Sequence, residues 1–141
     1  MAQIFFLAGA PAVGKSSTAH ALAAHFPKSI HIPVDDLREM VVSGLVLPGE
    51  WAPDLVEQLR LARQSAAQMA LIYSKAGFVV TIDDFWDPIS RLQEYGELFQ
   101  RANVHRILLY PSQQAAEARN LEREGPGDSS AYIAGGIRMV Y

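Results

Sequence analysis

The sequence predicts a three-layer α/β/α domain built on a parallel β-sheet, and three observations predict it. The segment Gly9-Ala10-Pro11-Ala12-Val13-Gly14-Lys15-Ser16 matches the G-x-x-x-x-G-K-[ST] phosphate-binding pattern in full. It lies between a strand-like apolar run and a helix-like run, which is the setting the pattern requires. Beyond it, strand-like and helix-like segments alternate with short connections, as in a sheet covered by helices on both faces.

The first strand is the apolar run Ile4-Phe5-Phe6-Leu7-Ala8, and the helix after the loop begins with Ser16 to Ala23. Ser29 to Ile32 reads as a short second strand. A short helix follows over Asp35 to Ser43, opened by acidic residues and stopped by Gly44. Residues 44 to 53 carry Gly44, Pro48, Gly49 and Pro53 and read as irregular. Leu55, Leu59, Ala62, Ala66, Met69 and Tyr73 then recur at intervals of three and four, marking the buried face of a helix. Lys75 and Gly77 close that helix with a cation and a glycine cap.

Phe78 to Ile82 is the next buried strand and ends on Asp83-Asp84. Asp87-Pro88 predicts a helix start that carries Ile89, Leu92 and Phe99 inward. A fourth strand is expected over Val104 to Tyr110 and a helix from Ser112 to about Glu124. A flexible loop over Gly125 to Asp128 leads to a last helix towards Tyr141, weakened by Gly135-Gly136. Four strands are thus legible; either the chain is cut short before a fifth, which is the favoured reading, or the sheet closes with four.

With 141 residues, the chain reads as one domain spanning 1–141. Half of it is hydrophobic, which excludes a disordered chain. Twelve basic residues stand against 15 acidic ones, and none of the basic ones form a run. That distribution argues against extended electrostatic binding to a polynucleotide. The absence of cysteine excludes disulfides and thiolate metal sites. Met1 to Ala12 has an apolar run and an Ala-x-Ala-like end but no positive leader, so it is not read as a signal peptide. No apolar segment approaches membrane-spanning length, and a soluble cytoplasmic protein without a membrane partner is expected.

An open parallel sheet binds its ligand at the carboxyl edge of its strands, and three motifs arrive there. Gly9 and Gly14 let successive N–H groups turn towards one anion, and the helix behind them adds its positive end. The expected ligand is ATP with Mg2+, cradled by Gly9, Ala10, Pro11, Ala12, Val13, Gly14, Lys15, Ser16 and Ser17. Lys15 supplies charge for the outer phosphates, while Ser16 and Asp83 are the expected metal ligands. Asp35 and Arg38 stand three apart, on one helix face, as a proton acceptor and an acceptor-orienting cation. Their alternative reading is a helix cap with a local ion pair. Arg119 and Arg123 precede a glycine-rich loop and read as lid residues over the phosphates, or else as a solvated, salt-bridged face. The four histidines show no metal-ligand spacing and receive no role; Trp51 and Trp86 lie in loops and read either as lining the acceptor pocket or as partly buried packing residues.

On these residues the chain resembles the small P-loop kinases that include polynucleotide kinases, chloramphenicol phosphotransferase and zeta-toxin-type kinases. Val34-Asp35-Asp36-Leu37-Arg38 is similar to the Asp-x-x-Arg segment of polynucleotide kinases, which implies a general base at Asp35 and a phosphate contact at Arg38. Ile82-Asp83-Asp84 resembles the strand-end acidic pair of the antibiotic kinase. Arg119 to Arg123 resembles a lid segment, which implies charge stabilisation by Arg123 with Arg119 in support. The resemblance implies a P-loop NTPase fold and transfer of the γ-phosphate of ATP to a hydroxyl. A small-molecule acceptor is expected. The rival readings are a polynucleotide 5′-hydroxyl kinase and, from another class, a nucleotide-binding ATPase or switch without an acceptor.

Overall fold

A computed structural model describes residues 1–10, 14–47, 49, 52–110, 114 and 118. Four parallel strands form one sheet in the order β2-β3-β1-β4, from β1 (Ile4–Gly9), β2 (Ser29–Pro33), β3 (Val79–Phe85) and β4 (Val104–Leu109). The near-continuous apolar runs of β1 and β3 fit their central places, because a strand covered on both faces has no side for water. Register places Leu7 beside Asp83 and Ala8 beside Asp84, so the two carboxylates stand level with the end of β1.

Successive side chains of β1 point to opposite faces, and the aromatic residues make this visible. Phe5 stacks on Phe26 and His105, whereas Phe6 packs against Tyr95 and Phe99. The Phe5 face is covered by α1 (Lys15–Ala24), which buries Ala19 and Ala23. On the Phe6 face lie α2 (Val34–Glu39) and α3 (Pro53–Lys75). In α3, Ala62, Ala66 and Ala70 recur every four residues and are buried, and their small side chains let the helix lie close to the sheet.

Helix α3 begins two residues before its first predicted apolar position, with Pro53 at the first turn as its fixed φ favours. It ends where predicted, with Lys75 in the last turn and Gly77 at φ +89. The short helix at the second motif ends earlier than Ser43. Its loop is held instead by bonds from Arg38 Nη1 to the Val46 carbonyl (2.9 Å) and between Gln58 and the backbone of Gly44 and Val46.

The helix expected from Asp87 is the main correction. Asp87 does cap: its Oδ1 accepts from the backbone N–H groups of Ile89 and Ser90. The turn does not propagate, because Arg91 and Leu92 adopt positive φ of 53 and 59. Arg63 donates to the other Asp87 oxygen and to the Ser90 hydroxyl, which also accepts from the Leu92 N–H, so the turn is bound to α3. Regular structure resumes only as a 3-10 turn, Gln93–Tyr95, and the single-turn α4 (Gly96–Phe99). Leu92 is buried as expected, but Ile89 faces outward, 59% exposed. Of the helix expected from Ser112 to about Glu124 the structure describes Gln114 and Ala118, both helical; the last helix, the loop at 125 to 128, and Trp51 lie outside the described residues.

Candidate nucleotide site

The end of β1 and the start of α1 bring the first motif into position. Gly14 caps α1 with φ +87 and ψ 25, a left-handed conformation that costs an L-residue roughly 1–2 kcal/mol. Nothing lies within 4 Å of where its Cβ would be, so the demand is on the backbone and not on space. Gly14→Ala is therefore expected to lower stability by about 1 kcal/mol in urea denaturation, with a larger proportional loss of triphosphate affinity in calorimetry. Lys15 opens α1, and its Nζ donates to the Ala10 carbonyl at 3.1 Å. Pro11, Ala12 and Val13 lie outside the described residues.

Ser16 and Asp83 meet, although 67 positions separate them. The Ser16 hydroxyl donates to Asp83 Oδ1 at 2.8 Å, and Asp83 is 5% exposed at the end of β3. A hydroxyl and a carboxylate oxygen are the hard oxygen donors that a magnesium ion takes, and they stand at the first turn of α1 beside the loop. This donor set fits the cation of a bound nucleotide. Asp83 has a second partner that the sequence reading missed. His31 Nε2–H of β2 donates to Oδ2. Among the described residues, no group of three or more His, Asp or Glu is placed to hold a metal by protein ligands alone.

Asp35 is exposed on the first turn of α2, and its charge raises the pKa of Asp84 across the strand end. Arg38, on the same helix, is buried and ties down the following loop, with Nε lacking a partner. Among the described residues no ion pair joins the two. Arg119 and Arg123 lie outside the described residues. Trp86 is 37% exposed, and its backbone N–H donates to the Gly9 carbonyl, so it stands next to the phosphate loop.

Asp84, one residue past the candidate metal ligand, faces the other way. It accepts from Arg63 Nε at 2.7 Å and from the Tyr95 hydroxyl at 2.9 Å. Arg63 is fully buried on α3 and also meets Asp87 at 2.8 Å and Glu94 at 3.7 Å. Burial pushes the Asp84 carboxyl up to about 6 against the pull of Arg63. Burial also raises the Tyr95 hydroxyl, with the Asp84 charge adding to it. Burial opposes the Arg63 charge, but Asp84 and Asp87 outweigh it and hold the guanidinium above its ordinary value. Asp87 is net lowered: burial raises it, and the bonds from Arg63 and two backbone N–H groups prevail. The sequence held one signal for this cluster. Arg63 stands four after Leu59 and three before Ala66, inside the apolar stripe.

A glycine-capped phosphate loop and a serine–aspartate pair at the carboxyl edge of a parallel sheet define a P-loop nucleotide-binding domain. Residues 4–134 match the AAA domain family, and the chain belongs to it. Solved structures with this fold include an unliganded sugar kinase from Janibacter sp. HTCC2649, at 16% identity and TM-score 0.67, covering 100% of this chain and 79% of that one. A gluconokinase from Sinorhizobium meliloti 1021 is similar at 16% identity and TM-score 0.61, over 99% of this chain and 75% of its own. A chain of the Pnkp1/Rnl/Hen1 RNA repair complex matches at 17% identity and TM-score 0.67, over 99% of this chain but 44% of that one. At such identities the likeness is one of fold. No curated protein sequence matches the chain. Among the described residues, no helix is long and apolar enough to cross a membrane.

Proposed function

We propose that the chain is an ATP-dependent kinase that transfers the γ-phosphate to a hydroxyl of a small molecule in the cytoplasm. The observation that carries this reading is the Ser16–Asp83 pair beside the glycine-capped loop, with the exposed Asp35 carboxylate across the same strand edge. In it, the backbone N–H groups between Gly9 and Ser17, Pro11 excepted, and the Lys15 ammonium hold the phosphates. Ser16 and Asp83 hold the magnesium ion, which when bound screens charge on the outer phosphates. Asp35 accepts the proton of the acceptor hydroxyl as its oxygen bonds to the γ-phosphorus and ADP leaves. Arg38 orients the acceptor, and Arg119 and Arg123 close over the spreading charge of the transferring group.

The fold shared with a sugar kinase and a gluconokinase supports a small acceptor. The repair-complex chain favours a polynucleotide acceptor, but 15 acidic against 12 scattered basic residues count against a phosphate-tracking surface. The test is calorimetry with ATP and Mg2+, followed by mass spectrometry of a hydroxylated acceptor panel that includes a 5′-hydroxyl oligonucleotide. A phosphorylated small molecule is the expected product. ATP hydrolysis with no phosphorylated acceptor makes the protein a switch or ATPase, and an oligonucleotide product replaces the acceptor class. Lys15→Ala removes the outer-phosphate charge and is expected to lower both nucleotide affinity and transfer by at least about 10²-fold in the same assays.

A further inference from the structure

Asp83 is held at both ends, and only one of its partners belongs to the phosphate-loop pattern. Ser16 occupies Oδ1, and His31 occupies Oδ2. A carboxylate turns about a terminal torsion with broad, roughly two-fold wells, so one hydrogen bond leaves it free to swing. Two bonds on different oxygens remove that freedom. The fold sets up the second bond. In the β2–β3 pairing His31 is level with Thr81 and Pro33 with Asp83, and side chains two apart on a strand share a face. His31 therefore reaches diagonally to Asp83 on the face that α1 covers. Its ring is backed by His20, one turn beyond Ser16, in an edge contact at 5.8 Å between centroids.

We propose that His31 is a positioning residue: it fixes the Asp83 carboxylate so that Oδ1 stays aligned with the Ser16 hydroxyl for the divalent cation of the bound nucleotide. This rests on the nucleotide reading above. Carboxylates and histidines that orient metal ligands from behind typically change metal affinity by 10–100-fold when removed.

The test measures Mn2+ affinity by calorimetry on the protein saturated with a non-hydrolysable ATP analogue, together with analogue affinity in EDTA. His31→Ala is expected to weaken Mn2+ about tenfold and leave EDTA-phase analogue affinity within about twofold. His31→Gln restores an N–H donor and should return Mn2+ affinity to within about threefold of the wild type. His31→Phe keeps the ring against His20 without a donor and should match Ala; if Ala fails to fold, the Gln and Phe pair decides. Unchanged Mn2+ affinity in Ala or Phe overturns the proposal, as does a Gln variant no better than Phe. A wild-type protein that binds no analogue sinks the nucleotide reading and this proposal with it, whereas normal wild-type binding with indifferent variants sinks the proposal alone.

Discussion

Replacing Arg63 with methionine is expected to lower unfolding stability at pH 8 by about 3–5 kcal/mol, the usual loss when one partner of a buried ion cluster is removed. Methionine keeps much of the side-chain volume, so packing is a minor part of the effect. Electrostatics supplies the rest. Asp84 and Asp87 are 3% exposed, and Arg63 donates to both. Without it, burial acts on those carboxylates with less to oppose it: the Tyr95 bond remains on Asp84 and two backbone N–H bonds on Asp87, and the folded pKa of each rises.

A carboxyl with a raised folded pKa contributes stability that is present below its unfolded pKa and lost as pH rises through the folded one. Wild-type Asp84 already behaves this way, from about 4 up to about 6. Wild-type Asp87 is lowered, so its contribution is present above its unfolded value and lost on acidification. In the Arg63→Met protein, Asp84 acts more strongly in the first sense, and Asp87 loses its largest lowering partner. The variant should therefore recover stability as pH falls from 8 towards 5, while the wild type changes less. Each further unit of pKa shift adds about 1.4 kcal/mol to that difference. Urea denaturation at several pH values checks it. A variant as stable as the wild type at pH 8, with a flat profile, would show that Arg63 does not hold these charges in the fold. Adding Asp84→Asn to the variant is expected to restore part of the loss, because the amide carries no charge to strand.

The same cluster shows which parts of this protein the sequence made legible. The phosphate loop, the strand before it and the helix after it are local in sequence, and their residues state their own geometry. Gly14 needs its positive φ wherever the sheet lies. Asp83 was legible because an acidic residue at the end of an apolar run must emerge at the carboxyl edge. The failure at Asp87 has the opposite cause. Asp-Pro followed by apolar residues specifies a helix locally, and the capping bonds did form. Arg63, 24 positions earlier, then took the other Asp87 oxygen and the Ser90 hydroxyl and stopped the helix. His31 was beyond reach for a related reason. Its bond to Asp83 depends on β2 lying beside β3 rather than β1, and strand order is not written in strand-forming residues. Arg63 itself was half legible, since a charge inside an apolar stripe announces a buried partner without naming it.

Asp35→Ala is expected to lower phosphate transfer to a verified acceptor by about 10²–10⁴-fold, the usual contribution of a positioned general base. Nucleotide affinity should stay within about threefold, because the proposed phosphate loop follows β1 and leads into α1, whereas Asp35 lies on α2. The placement of Asp35 supports this separation. It sits on the first turn of α2, exposed, and its charge reaches Asp84. The exposed carboxylate remains open to a hydroxyl that docks against it. Asp84 is another carboxylate at this edge, yet Arg63 and Tyr95 occupy it and burial holds its pKa high, so it is poorly suited to the role. Asp35→Asn separates charge from shape: it keeps the acceptor contact and should lose transfer almost as fully as alanine. Single-turnover transfer measurements with saturating acceptor read the loss in the chemical step. If alanine or asparagine at this position left that step within about threefold of the wild type, Asp35 would not be the base, and another group would have to take the hydroxyl proton.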